Sequence, residues 1–159
     1  MASFKEVYPT PLERQFSRFY HLEKNQYAHL HKNKSVTMIG LSPQHPAVVE
    51  GITSVEFSQP ALANEALGKR KRGALPLRVE TLLCTIRTGQ GNEFKINACV
   101  NADLVEINER ATRDPSVVSK DPEGAGFLCI GLIRAEENMQ RCFPGFTLGG
   151  LPYGRETEI

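Results

Sequence analysis

The side chains able to do chemistry are four histidines, four cysteines, a few clustered acids and one run of four cations. The histidines are His21, His29, His31 and His45. His29 and His31 stand two apart, so on a strand they share a face, as a pair of metal ligands would. No carboxylate or cysteine stands at a supporting ligand spacing, so they read as surface or turn histidines and no metal site is assigned. The cysteines are Cys84, Cys99, Cys129 and Cys142. None forms a C-x-x-C pair, and three lie in apolar, strand-like runs. They read as small buried hydrophobes in a reducing compartment. A nucleophilic cysteine needs a cation or a helix N-terminus beside it, whereas Cys84 and Cys129 sit among leucine and isoleucine. Asp103, Glu106 and Glu109 form an acidic cluster, but on one strand Glu106 and Glu109 face opposite sides, which suits a solvated edge better than an acid–base pair. P-loop, G-x-S-x-G, H-E-x-x-H and G-x-G-x-x-G patterns are absent. The expectation is a protein with no catalytic residues, no metal and no cofactor.

The cations form the stretch GKRKRGA, with Lys69, Arg70, Lys71 and Arg72 between Gly68 and Gly73. The chain as a whole carries a formal charge of only +1. Broad electrostatic binding to nucleic acid is therefore not expected, and any such binding must be local. No aromatics are interleaved with the run to stack on bases, so nucleic acid is a weak alternative. An import signal, a partner site and a solvated turn all fit the run. The N-terminal residues lack the apolar core of a secretory signal. The longest apolar stretches, such as Phe127 to Ile133, are too short to span a bilayer. The expected location is nucleus and cytoplasm, with no membrane partner.

The elements that must carry these groups are mostly strands. Leu12, Phe16 and Phe19 are spaced by four and three, which predicts a short helix with Pro11 in its first turn. SVTMIGL and ITSVEFS read as strands, and QHPAVVEG between them reads as a turn or one helical turn closed by Gly51. QPALANEALG predicts a brief helix ending at Gly68. In VETLLCTIRTGQGNEFKINACV, two strands flank Gly89-Gln90-Gly91. A three-residue loop sets Ile86 against Phe94, Cys84 against Ile96 and Leu82 against Ala98, giving one uniformly apolar face. Gly91 then takes the left-handed position. Thr85 meets Lys95 and Arg87 meets Glu93 on the solvated face. ADLVEINE and GFLCIGLI add strands, and PSVVSK and EENMQR add helical turns. Many short strands with close turns predict a mainly β fold, a compact barrel or sandwich with short peripheral helices. The chain divides into an N-terminal extension at 1–10, one β domain at 11–141, and an irregular Gly- and Pro-rich tail at 142–159.

ADLVEINERATRDPSVVSKDPEGAGFLCI resembles the stretch of glycine-cleavage H proteins that reads roughly GEVVEVNE…NPELVN.DPYG.GWL. The matches are Val105, Glu106, Asn108, Glu109, Pro115, Val118, Asp121, Pro122, Gly124, Gly126 and Leu128. The resemblance implies the lipoyl/biotinyl carrier fold, a flattened barrel-sandwich hybrid. In that family a lysine at a hairpin tip, in an ESVKA-like motif, carries lipoate. The corresponding position here is Gly91, and TIRTGQGNEFK lacks the motif. Lys95 lies nearby on the strand and is the alternative arm for a lipoyl carrier of a glycine-cleavage type.

A second resemblance covers about residues 14 to 134. RQFSRFY matches the R-x-F-x-R-x-Y opening of the Abitram (Simiate) family, the actin-binding transcription modulators. His31 and Asn33 match its H-x-N, Leu41 and His45-Pro46 its L-x-x-x-H-P, and GKRKRGA its G-K-x-K-R-G-A. Val100, Leu104, Glu106, Asn108 and Glu109 match its V-x-x-x-L-x-E-x-N-E. This resemblance implies a non-enzymatic interaction protein associated with filamentous actin and with nuclear speckles. Actin's surface is acidic, and cations steer encounter with acidic partners. Lys69, Lys71 and Arg72, the matched cations, are the expected partner-binding residues, with Arg70 at the variable position.

Overall fold

The computed structural model describes residues 16–31, 35–67, 75–133 and 139–149. The basic run, residues 1–10, Leu12, Glu136 and Glu137, and the chain beyond 149 lie outside the described residues.

The elements in chain order are β1 (Phe16–His21), β2 (Gln26–His31), β3 (Val36–Leu41), α1 (Pro46–Glu50), β4 (Ile52–Phe57), α2 (Gln59–Leu67) and β5 (Pro76–Leu77). They continue as β6 (Leu82–Thr88), β7 (Glu93–Asn97), β8 (Ala102–Ile107), α3 (Glu109–Arg113), α4 (Ser116–Lys120), β9 (Cys129–Leu132), α5 (Met139–Cys142) and β10 (Thr147–Leu148). A seven-stranded sheet runs β10-β1-β2-β3-β9-β8-β5, and a three-stranded sheet runs β4-β6-β7. Every pairing is antiparallel. The core lies between the two layers. Ile39, Leu41, Leu104 and Cys129 come from the large sheet, and Val55, Phe57, Cys84, Ile86 and Ile96 from the small one. The fold is mainly β with short helices at the periphery, as the strand pattern predicts.

Two expectations are corrected. The segment predicted as a helix around Phe16 and Phe19 is strand β1. It pairs with β2 residue for residue, from Phe16 opposite His31 to His21 opposite Gln26. A short helical stripe is marginal by itself, and pairing along a whole strand overrides it. The partner β2, QYAHLH, carries little strand signal, yet five of its six residues are buried. The second correction concerns residues 142–149 of the tail. Cys142 and Phe143 belong to the core, Phe143 packs on Phe19 at 5.2 Å between ring centroids, and Thr147–Leu148 pairs with β1. Gly- and Pro-rich composition marks tight turns here rather than irregularity, with Gly145 at φ +84°.

The central hairpin forms in the expected register. Ile86 faces Phe94, Cys84 faces Ile96, Thr85 faces Lys95 and Arg87 faces Glu93. Gly91 has φ +88°, the left-handed geometry that a Cβ disfavours. The register slips only at the far end, where Leu82 pairs with Asn97 instead of Ala98. A bulge there turns Leu82 outward, and it is exposed.

Candidate functional site

The apex of the β6–β7 hairpin is where a carrier of this architecture would present its lysine. Its own chemistry is built from polar backbone and small residues. The Thr88 N–H donates to the Asn92 carbonyl at 3.0 Å, and the Gly91 N–H donates to the Thr88 carbonyl at 3.0 Å. Glu50, at the end of α1, accepts from Thr88 Oγ1 at 2.7 Å and from Asn92 Nδ2 at 2.9 Å. Those two donors hold the Glu50 carboxyl below its ordinary range. Helix α1 thus clamps the base of the tip while Gly89, Gln90 and Gly91 stand exposed. A Cβ on Gly91 would meet nothing within 4 Å, so the space for a side chain exists and no amine fills it. Lys95 is exposed on the outer face of β7, four residues from Gly91 along the strand and away from the apex. Around it, Arg87 pairs with Glu56 at 3.3 Å and with Glu93 at 3.7 Å. Lys69, Lys71 and Arg72 lie outside the described residues.

Sequence spacing misses a second cluster, which is buried. His29 is fully buried on β2, with Nε2 2.8 Å from Glu123 Oε1. The Tyr20 hydroxyl donates to the same oxygen at 2.6 Å. The Tyr27 ring stacks on the His29 ring at 4.2 Å, and its hydroxyl donates to the Pro122 carbonyl. Burial pushes the His29 imidazole below its usual value, against the pull of Glu123. Burial alone would raise Glu123, but the His29 and Tyr20 hydrogen bonds outweigh it and hold the carboxylate ionised. The consistent assignment is a neutral His29 with its proton on Nε2. Its Nδ1 is buried with no hydrogen-bond partner. His29 is therefore a core residue rather than a surface one, and its strand neighbour His31 packs edge-on to Phe16 at 5.2 Å.

This cluster seats the Asp121–Gly126 loop. Asp121 Oδ2 accepts the Ala125 N–H at 3.0 Å, and the Asp121 carbonyl accepts the Gly126 N–H at 2.8 Å. A Cβ on Gly126 would strike the Val117 and Asp121 carbonyl oxygens, so only glycine fits. Gly40 makes the matching allowance on β3, since a Cβ there would lie 2.5 Å from the Tyr27 hydroxyl oxygen. His29 and Glu123 are 94 residues apart in the chain, and no local signal links them. The arrangement is a positioning network, in which His29 and Tyr20 hold the Glu123 carboxylate and with it the loop. No group of three or more metal-ligating side chains occurs among the described residues. A separate depression of about 390 Å³, lined by Arg78, Asn101, Asp103, Leu132 and Arg141 among others, lies at the β5–β8 edge and does not reach the hairpin apex.

The fold and the hairpin place the chain among proteins built like glycine-cleavage H proteins. A solved H protein from Mycobacterium marinum superposes with a TM-score of 0.55 over 77% of this chain and 87% of that one, at 16% identity. That likeness concerns the fold. No protein-family model matches the chain. Protein Abitram of Drosophila melanogaster is 34% identical over 138 residues, covering 84% of this chain and 64% of that longer protein. Protein Abitram of Dictyostelium discoideum is 33% identical over 130 residues, covering 76% of this chain and 74% of its own. Human Protein Abitram is 29% identical over 143 residues. The chain belongs to the Abitram family.

Proposed function

We propose that this protein is a non-enzymatic interaction module, an H-protein-like barrel that has no lipoyl lysine and binds filamentous actin or another acidic protein surface. One observation carries the reading: the apex where a carrier would hold its lysine is Gly89-Gln90-Gly91, closed by hydrogen bonds to Glu50. A swinging arm needs an amine on an exposed tip, and Lys95 offers a strand face instead. The family resemblance implies a role with actin and in the nucleus as a transcription or filament modulator. Under this reading Lys69, Lys71 and Arg72 make the partner contact.

Co-sedimentation with filamentous actin at low and moderate salt tests the proposal. Binding should weaken as salt rises, because exposed charges are screened within about 10 Å at 0.1 M. Reversing Lys71 and Arg72 to glutamate should reduce it, while Arg70→Glu should matter less. Failure to co-sediment at any salt removes the actin assignment. The competing reading is a lipoyl carrier modified at Lys95, and Lys95's exposure is what favours it. Intact mass of the protein from its native source separates the two: the unmodified mass is expected, and a lipoyl or biotinyl adduct on one lysine would reverse the conclusion.

A further inference from the structure

Among the described residues, the outer edge of β7 has no strand partner, and it carries a self-complementary charge pattern. Antiparallel pairing alternates, so each residue turns its N–H and C=O either toward its neighbour strand or away from it. The Thr88–Asn92 hydrogen bond fixes that alternation. Asn92, Phe94 and Ile96 point their backbone groups at β6, and Glu93, Lys95 and Asn97 point theirs outward. The Asn97 carbonyl is already taken by Gln26 Nε2 at 3.0 Å. Among the described residues, the outward backbone groups of Glu93 and Lys95 have no partner. At the other end of the strand the chain turns away at Gly91. The other outer strand of this sheet, β4, is packed by α3 and α4 instead. What remains is a short open edge, two outward residues long, beside the hairpin apex.

We propose that this edge pairs with the same edge of a second copy of the chain. In an antiparallel, two-fold pairing centred on Phe94, Glu93 of one copy falls opposite Lys95 of the other, and Lys95 opposite Glu93. Both positions are outward-bonding, so each opposed pair exchanges two backbone hydrogen bonds, four in all. The side chains of opposed residues stand on the same face, which sets a carboxylate against an ammonium twice. Phe94, half-buried in one copy, meets its symmetry mate on the inner face. The two small sheets become one continuous sheet of six strands. An isologous contact of this kind needs only one surface patch. With so short a ladder the association belongs to the small, transient class, below about 1,200 Å² of buried surface.

Sedimentation velocity of the full chain from about 10 μM to about 1 mM, the range for weak contacts, tests the pairing. Wild type should shift toward dimer as concentration rises. Lys95→Glu sets acids against acids, and Glu93→Lys sets lysines against lysines. Each variant alone should dimerise about tenfold less well or not at all. An equimolar mixture of the two should recover a dimer, because every opposed pair is then oppositely charged. Circular dichroism of each variant checks that the fold is kept, and Lys95→Pro, which deletes only an outward N–H, provides a second block. A wild type that stays monomeric throughout, single variants that dimerise as well as wild type, or a mixture that recovers nothing would each overturn the pairing.

Discussion

At the residue scale, burial makes protonation unfavourable at His45 and at His29. His45 caps α1 through Nδ1, which accepts the Ala47 N–H at 3.0 Å. Burial pushes its pKa down to about 4. A proton on Nδ1 would also remove the cap and place a cation at the positive end of a helix. The folded pKa lies below the unfolded value of about 6.5, so the unfolded chain binds protons first on acidification. Stability is complete above that value and declines as pH falls through about 4. His29, shifted in the same direction, adds to the same slope. Asparagine caps without titrating in this range, so in His45→Asn the thermal midpoint should depend less steeply on pH over this window. A slope identical to wild type would show that His45 contributes nothing. Glu123 yields a second prediction. Glu123→Ala removes the acceptor shared by His29 and Tyr20, and two buried donors lose their partner. Urea unfolding should report a loss of about 2–4 kcal/mol, with Glu123→Gln losing less because one carbonyl oxygen remains.

At the element scale, legibility follows pattern length and locality. The β6–β7 register can be read from the sequence because alternation on two adjacent strands leaves a single loop length that keeps one face apolar. The α1 turn is legible from His45-Pro46 and Gly51, whose φ is +95°. Strand β1 is not, because Phe16, Phe19 and Tyr20 fit a helical spacing as well as a strand, and only pairing with β2 separates the two. The bulge at Leu82 escapes for a related reason, since a register slip at a strand end leaves no mark on composition. Gly91→Ala tests the apex directly. Open space surrounds the site, so the cost is purely conformational, about 1–2 kcal/mol for the left-handed backbone. It should appear in chemical denaturation with little change elsewhere in the amide spectrum.

At the scale of the whole molecule, the segment after Arg141 closes the large sheet. Phe143 is almost fully buried and packs against Phe19 and Phe146, while β10 covers the outer edge of β1. Phe143→Ala should therefore destabilise the domain by about 3 kcal/mol, measured by thermal or urea unfolding. A tail without a structural role would leave stability unchanged. The sequence by itself determined the fold class, the central hairpin with a glycine at its apex, and the family. These rest on local alternation, turn residues and ordered motif matches, which survive in one dimension. Tertiary structure alone decided that β1 is a strand, that Phe143 packs in the core and β10 pairs with β1, that His29 lies in the core with Glu123, and that the outward edge of β7 has no strand partner among the described residues. Each of these depends on which distant segments meet, and packing over long chain separations leaves no spacing for a single sequence to display.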